Sequence, residues 1–115
     1  IIGNTTITRP PNLNNCHKGE TGGLSGRPLF HIATELLGEA YNMSGGRLPL
    51  VGTGGITNGM DAYAKIRAGA SAVQLYSALT YGGPALINKI KRELAACLYA
   101  DGCKCVADAV GADHR

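Results

Sequence analysis

The chain has 115 residues, 44% of them hydrophobic and 17% charged, with a net charge of +3, which is the make-up of a folded domain and not of a disordered polymer. The basic residues are scattered apart from Lys89, Lys91 and Arg92, there is no Trp, and no aromatics alternate with the basic positions, so nucleic-acid binding is not expected. No run approaches the roughly 20 apolar residues of a membrane span, and Cys16, Cys97, Cys103 and Cys105 lack the two-residue gap of a zinc or redox motif, so no metal site is expected and the cysteines read as reduced thiols.

In chain order, Ile1-Ile2 reads as the end of a buried strand leading into polar Asn4, Thr5 and Thr6, so the chain is expected to be a piece of something longer. Asn4 and Thr5 are either ordinary turn formers or a ligand pair; a primary amide beside a hydroxyl suits a planar substrate with carboxylate and amide edges. Arg9 to Gly26 is a long Pro-, Asn- and Gly-rich loop, expected to be functional. Its last part, Gly22-Gly23-Leu24-Ser25-Gly26-Arg27-Pro28, reads as a linker or as a lid laying backbone over a ligand.

Leu29, Ile32, Ala33, Leu36, Leu37 and Ala40 predict an amphipathic helix that starts after Pro28 and fades by Ser44-Gly45-Gly46. Leu48 to Val51 predicts a strand buried on both sides, followed by Gly52-Thr53-Gly54-Gly55-Ile56. A second helix headed by Asn58 and Asp61 ends at Gly69, and Ser71 to Leu75 predicts another strand with a polar tip at Tyr76-Ser77. Pro84 opens a final helix over Leu86, Ile87, Ile90, Leu94, Cys97 and Leu98. Strands alternating with helices of this length imply a parallel sheet and the α/β class.

In such sheets ligands lie at the C-terminal ends of the strands, and in barrels a phosphate commonly sits after strands seven and eight. The glycines at 52, 54 and 55 therefore read equally as a tight strand-to-helix turn or as a phosphate cradle, with backbone N–H groups close to the anion and the next helix pointing its positive end the same way. His17, His31 and His114 have no partner at triad spacing and read as surface or loop residues. Nothing visible is a nucleophile, a general base or a metal cluster, so chemistry would come from a cofactor or from other segments.

The strings Asn4-Thr5-Thr6, Glu20-Thr21-Gly22-Gly23-Leu24-Ser25-Gly26, Val51-Gly52-Thr53-Gly54-Gly55-Ile56, Ile66-Arg67-Ala68-Gly69-Ala70-Ser71, Val73-Gln74-Leu75-Tyr76 and Gly111-Ala112-Asp113-His114-Arg115 resemble, in order, the quinone-linked class of dihydroorotate dehydrogenases. The resemblance implies a (β/α)8 TIM barrel holding FMN, of which this chain covers the end of strand six to the final helix, as one domain without a second. It implies that Asn4 and Thr5 bind the pyrimidine, that Gly26, Gly54, Gly55, Tyr76 and Ser77 bind FMN, and that Leu79, Thr80 and Pro84, with Tyr76, line a quinone tunnel. Gly3 stands where that family often has a hydroxyl residue at the flavin, and Ser77 where it often has Thr.

The family's catalytic serine and flavin-contacting lysine would lie upstream of Ile1, so no catalytic residue falls in this chain. The implied reaction is oxidation of dihydroorotate to orotate in pyrimidine (UMP) synthesis, with electrons passed through FMN to a quinone. Peripheral attachment to the mitochondrial inner membrane in a eukaryote, or to the cytoplasmic membrane in a bacterium, would come through an upstream part. The alternatives are another phosphate- or FMN-binding barrel enzyme, or a non-catalytic phosphate-binding α/β module.

Overall fold

The computed structural model describes residues 1–115. After a single 3-10 turn at Arg27–Leu29 come helix α1 (Phe30–Ser44), strand β1 (Leu50–Thr53), helix α2 (Gly59–Arg67), strand β2 (Ala70–Gln74), helices α3 (Ser77–Gly82), α4 (Ala85–Ala100) and α5 (Val106–Ala109), and a second 3-10 turn at Ala112–His114. No helix is long and apolar enough to cross a membrane.

β1 and β2 pair in parallel, and Ile2 forms a parallel bridge to Gly52 on the other side of β1, so the three predicted strands share one sheet direction. The first is only a bridge. β1 begins two residues later than predicted because Pro49 has no N–H to give a ladder. β2 is less buried than a strand covered on both faces: Ser71, Ala72 and Gln74 are exposed, while Ala70 is fully buried.

The helices form where periodicity and caps agree. α1 stops at Gly45, which takes the left-handed conformation a side chain resists, and α2 starts at Asn58, whose side chain accepts from the Asp61 N–H at 2.8 Å. α3 was not legible, because six residues are too few to show a helical period. The core consists of two clusters that meet at Val73. Leu37, Leu50, Ala68 and Ala70 pack with Ile2, Tyr41 and Val73, while Ile56, Ala62 and Ile90 pack with Val73, Leu75 and Leu86. Leu37 is 1% exposed, and truncating such a side chain to Ala costs about 3 kcal/mol.

The tips of all three parallel segments point the same way. Asn4-Thr5, Thr53-Gly54-Gly55 and Leu75-Tyr76-Ser77 thus come together at one end of the sheet, which is where the chemistry has to be sought.

Candidate functional site

At that end lies a cavity of about 530 Å³, within the range of small-molecule and cofactor sites. Asn4, Thr5, Gly26, Gly54, Gly55, Tyr76 and Ser77 all line it, so one concavity gathers residues from four separated stretches of chain. Ile1, Ser25, Gln74 and Tyr81 also line it, and none of these was among the expected site residues; Ser25 and Gln74 lay inside strings singled out for their neighbours. Leu79, Thr80 and Pro84 lie elsewhere, on α3 and at its exit, with Thr80 and Pro84 exposed.

The glycine string after β1 works differently from the simple cradle. A Cβ on Gly55 would sit 2.6 Å from Phe30 Cβ and 2.7 Å from Phe30 N, and one on Gly54 would press on Leu29 and Ala33. These missing side chains make room for the start of α1, not for an anion. The backbone nonetheless serves the cavity. Gly55 has φ +73°, and the N–H groups of Gly55 and Ile56 have no acceptor within the chain.

The N-terminus of α2, expected to aim at the ligand, is closed by the protein's own groups. Asp61 Oδ2 accepts from Thr57 N at 2.9 Å and from Thr57 Oγ1 at 2.7 Å, and Glu93 Oε2 accepts from Gly59 N at 2.7 Å. With Gly59 N taken by Glu93 and Asp61 N by the Asn58 side chain, that helix end has fewer N–H groups left for an anion. Donors for an anion must come from the loop before α2 and from the other walls.

Those walls are tied together. Arg27 Nη1 donates to Asp61 Oδ2 at 2.7 Å and to Thr57 Oγ1 at 2.9 Å, joining the segment before α1 to the turn after β1. Beneath them Lys65 is 0% exposed; its Nζ lies 3.3 Å from Phe30 O and 4.9 Å from the centre of the Phe30 ring. Burial pulls its pKa down to about 8, against the opposing pull of Asp61. Across the cavity, Ser77 Oγ and Ser25 Oγ are 3.0 Å apart, an exposed hydroxyl pair facing Gly26.

The remaining wall is the excursion between Thr6 and Leu24. These two residues exchange backbone hydrogen bonds, Thr6 N to Leu24 O at 3.1 Å and Leu24 N to Thr6 O at 2.7 Å, so the loop leaves and returns as a two-stranded neck. Arg9 holds the loop by donating to four carbonyls: Thr6 O at 3.2 Å, Lys18 O at 3.1 Å, Glu20 O at 3.2 Å and Gly22 O at 2.7 Å. The sequence singled out the loop but not Arg9, since an Arg that bonds main-chain carbonyls leaves no motif.

Of the histidines, His17 pairs with Glu20 in the exposed loop, and His31 is exposed. His114 is structural: its ring stacks on Tyr41, and Nε2 lies 3.2 Å from Ala68 O. The four cysteines are free thiols.

The profile of the family described as dihydroorotate dehydrogenase matches residues 1–98. Over its whole length the chain is 67% identical to dihydroorotate dehydrogenase (quinone) of Azorhizobium caulinodans, covering 32% of that protein. It is likewise 55% identical over its whole length to the mitochondrial dihydroorotate dehydrogenase (quinone) of Arabidopsis thaliana, covering 25% of that protein. Among solved structures, the ligand-free dihydroorotate dehydrogenase of Eimeria tenella superposes with a TM-score of 0.97 at 47% identity, over 100% of this chain and 32% of that one. The chain therefore spans about a third of the length of these relatives, or less, and its α/β units are part of a TIM barrel. By sequence and by fold, the chain belongs to the dihydroorotate dehydrogenase family.

Proposed function

We propose that residues 1–115 are the C-terminal portion of a single FMN-binding barrel domain that oxidises dihydroorotate to orotate and passes the electrons to a quinone. The observation that carries this reading is the convergence of Asn4-Thr5, Gly26, Gly54-Gly55 and Tyr76-Ser77 on one cavity. A cavity with unpaired amides at Gly55 and Ile56 and hydroxyls at Ser25 and Ser77 fits a flavin phosphate, which takes hydrogen bonds on several oxygens at once.

Bound FMN would supply the two-electron acceptor. The chain's own residues hold and orient: Gly26, Gly55 and Ser77 grip the phosphate end, Gly54 and Tyr76 complete that wall, and Asn4 and Thr5 present an amide and a hydroxyl to the edges of the pyrimidine. The base that removes the substrate proton, a serine, and a lysine at the flavin belong to the upstream part of the enzyme. Leu79, Thr80 and Pro84 belong to the quinone path, outside the cavity. The membrane partner is then the mitochondrial inner membrane or the bacterial cytoplasmic membrane, reached through that upstream part; the Arabidopsis relative carries "mitochondrial" in its name.

The test is made on the full-length protein that carries this chain. It should purify with a yellow flavin and reduce a soluble quinone only when dihydroorotate is present. A protein that binds flavin but leaves dihydroorotate untouched would refute the substrate, and one that binds no flavin would refute the cofactor.

A further inference from the structure

We infer that Arg9 and Gly23 are positioning residues for the substrate pair, locking the Thr6–Leu24 excursion down onto Thr5. The inference rests on Asn4 and Thr5 being the pyrimidine-binding pair. Three observations carry it.

Arg9 spends its guanidinium on four main-chain carbonyls, two of them on the returning limb at Glu20 and Gly22 and one on the outgoing limb at Thr6. An arginine presents five N–H donors in a rigid plane, and one cation that bridges both limbs fixes their separation as a flexible lysine cannot. The neck is then closed by the reciprocal hydrogen bonds of Thr6 and Leu24, the residues next to Thr5 and Gly23. Finally, the closed neck sets Gly23 directly against the Thr5 side chain. A Cβ at position 23 would collide with both Oγ1 and Cβ of Thr5, and Cβ is not a group that can swing aside.

The consequence is a chain of contacts in which Arg9 sets the neck, the neck places Gly23, and Gly23 fixes the Thr5 rotamer. Arg9 itself lines no part of the cavity, and its nearest link to the ligand runs through Thr6 and Thr5. The flavin-phosphate end is held by other ties, those of Arg27 to Asp61 and Thr57. Loss of the Arg9 clamp should therefore loosen the substrate and leave the flavin in place.

The experiment compares full-length wild type with Arg9→Lys and Gly23→Ala. Flavin content and steady-state kinetics with dihydroorotate are measured side by side. The expected result is flavin content near wild type, with KM for dihydroorotate raised about tenfold and kcat changed far less. An unchanged KM in both variants overturns the inference, as does a loss of flavin in step with activity, which would make the clamp merely structural.

Because a variant can fail to fold, wild type is also digested with trypsin, and cleavage after Lys18 is followed with and without orotate. Linkage requires that a ligand bound to the placed Thr5 stabilise the closed excursion, so orotate should slow this cut several-fold. Equal rates overturn the inference. Wild type that does not oxidise dihydroorotate at all would instead overturn the functional reading, which keeps the two failures apart.

Discussion

Two loops meet at the cavity, and they are held by opposite means. The turn after β1 is wedged into the protein: Gly52 lies against Leu37, Lys65 and Ala70, Gly54 against Leu29 and Ala33, and Gly55 against the Phe30 backbone. The Thr6–Leu24 excursion buries none of its residues and is held by hydrogen bonds, the reciprocal pair at its neck and those from the Arg9 guanidinium. The first loop draws its shape from packing, which falls steeply with any added volume; the second draws it from a few polar ties, which tolerate added volume wherever the ties are untouched.

Substitutions break this contrast at different strengths. Gly55→Ala should do most damage, since the new Cβ meets the Phe30 backbone and the residue has φ +73°. A destabilisation of about 3 kcal/mol is expected from overpacking plus left-handed strain, read as a lower denaturant midpoint and as lost flavin.

Lys65→Met tests the support below the same turn. The unfolded side chain holds its proton up to 10.5, whereas the folded one releases it near 8. Between those values the unfolded state binds more protons, so stability rises with pH; below about 8 both forms are charged and the full cost of burying the ammonium is present. The methionine variant should be more stable at pH 7, by about 1–2 kcal/mol after losing the Phe30 contacts, and should lose the rise between pH 8 and 10.5. Thermal melts across that range check both effects.

Gly22→Ala should do least. A Cβ there meets nothing, although φ is +124°, so a cost of about 1 kcal/mol is expected, with KM for dihydroorotate unchanged. Its contrast with Gly23→Ala, one residue away, separates backbone strain from collision with Thr5.

Legibility in the sequence followed the same division. α1, α2 and α4 were readable because apolar positions recur at helical spacing and Asn58 and Gly45 mark ends, and the strand tips followed from the alternation of elements. The gathering of Asn4, Gly55 and Ser77 was foreseeable from the rule that parallel strands present their C-terminal ends together. What the glycines make room for was not, because an absent side chain does not say which neighbour fills the space. Gly55 looked like a seat for phosphate and is first a seat for Phe30. The Arg27–Asp61 tie was hidden for a related reason, as 34 residues separate its partners and nothing in either stretch points to the other.

Arg9 has one more consequence. Every acceptor it uses is a main-chain oxygen, of Thr6, Lys18, Glu20 or Gly22, and every residue type supplies that atom equally. The clamp is therefore blind to the side chains it organises. Apart from Asn15, His17 and Glu20, whose side chains bond within the loop, the stretch from Pro10 to Thr21 is free of the clamp's demands and can drift in sequence and acquire new surface character while Arg9 keeps the two limbs together.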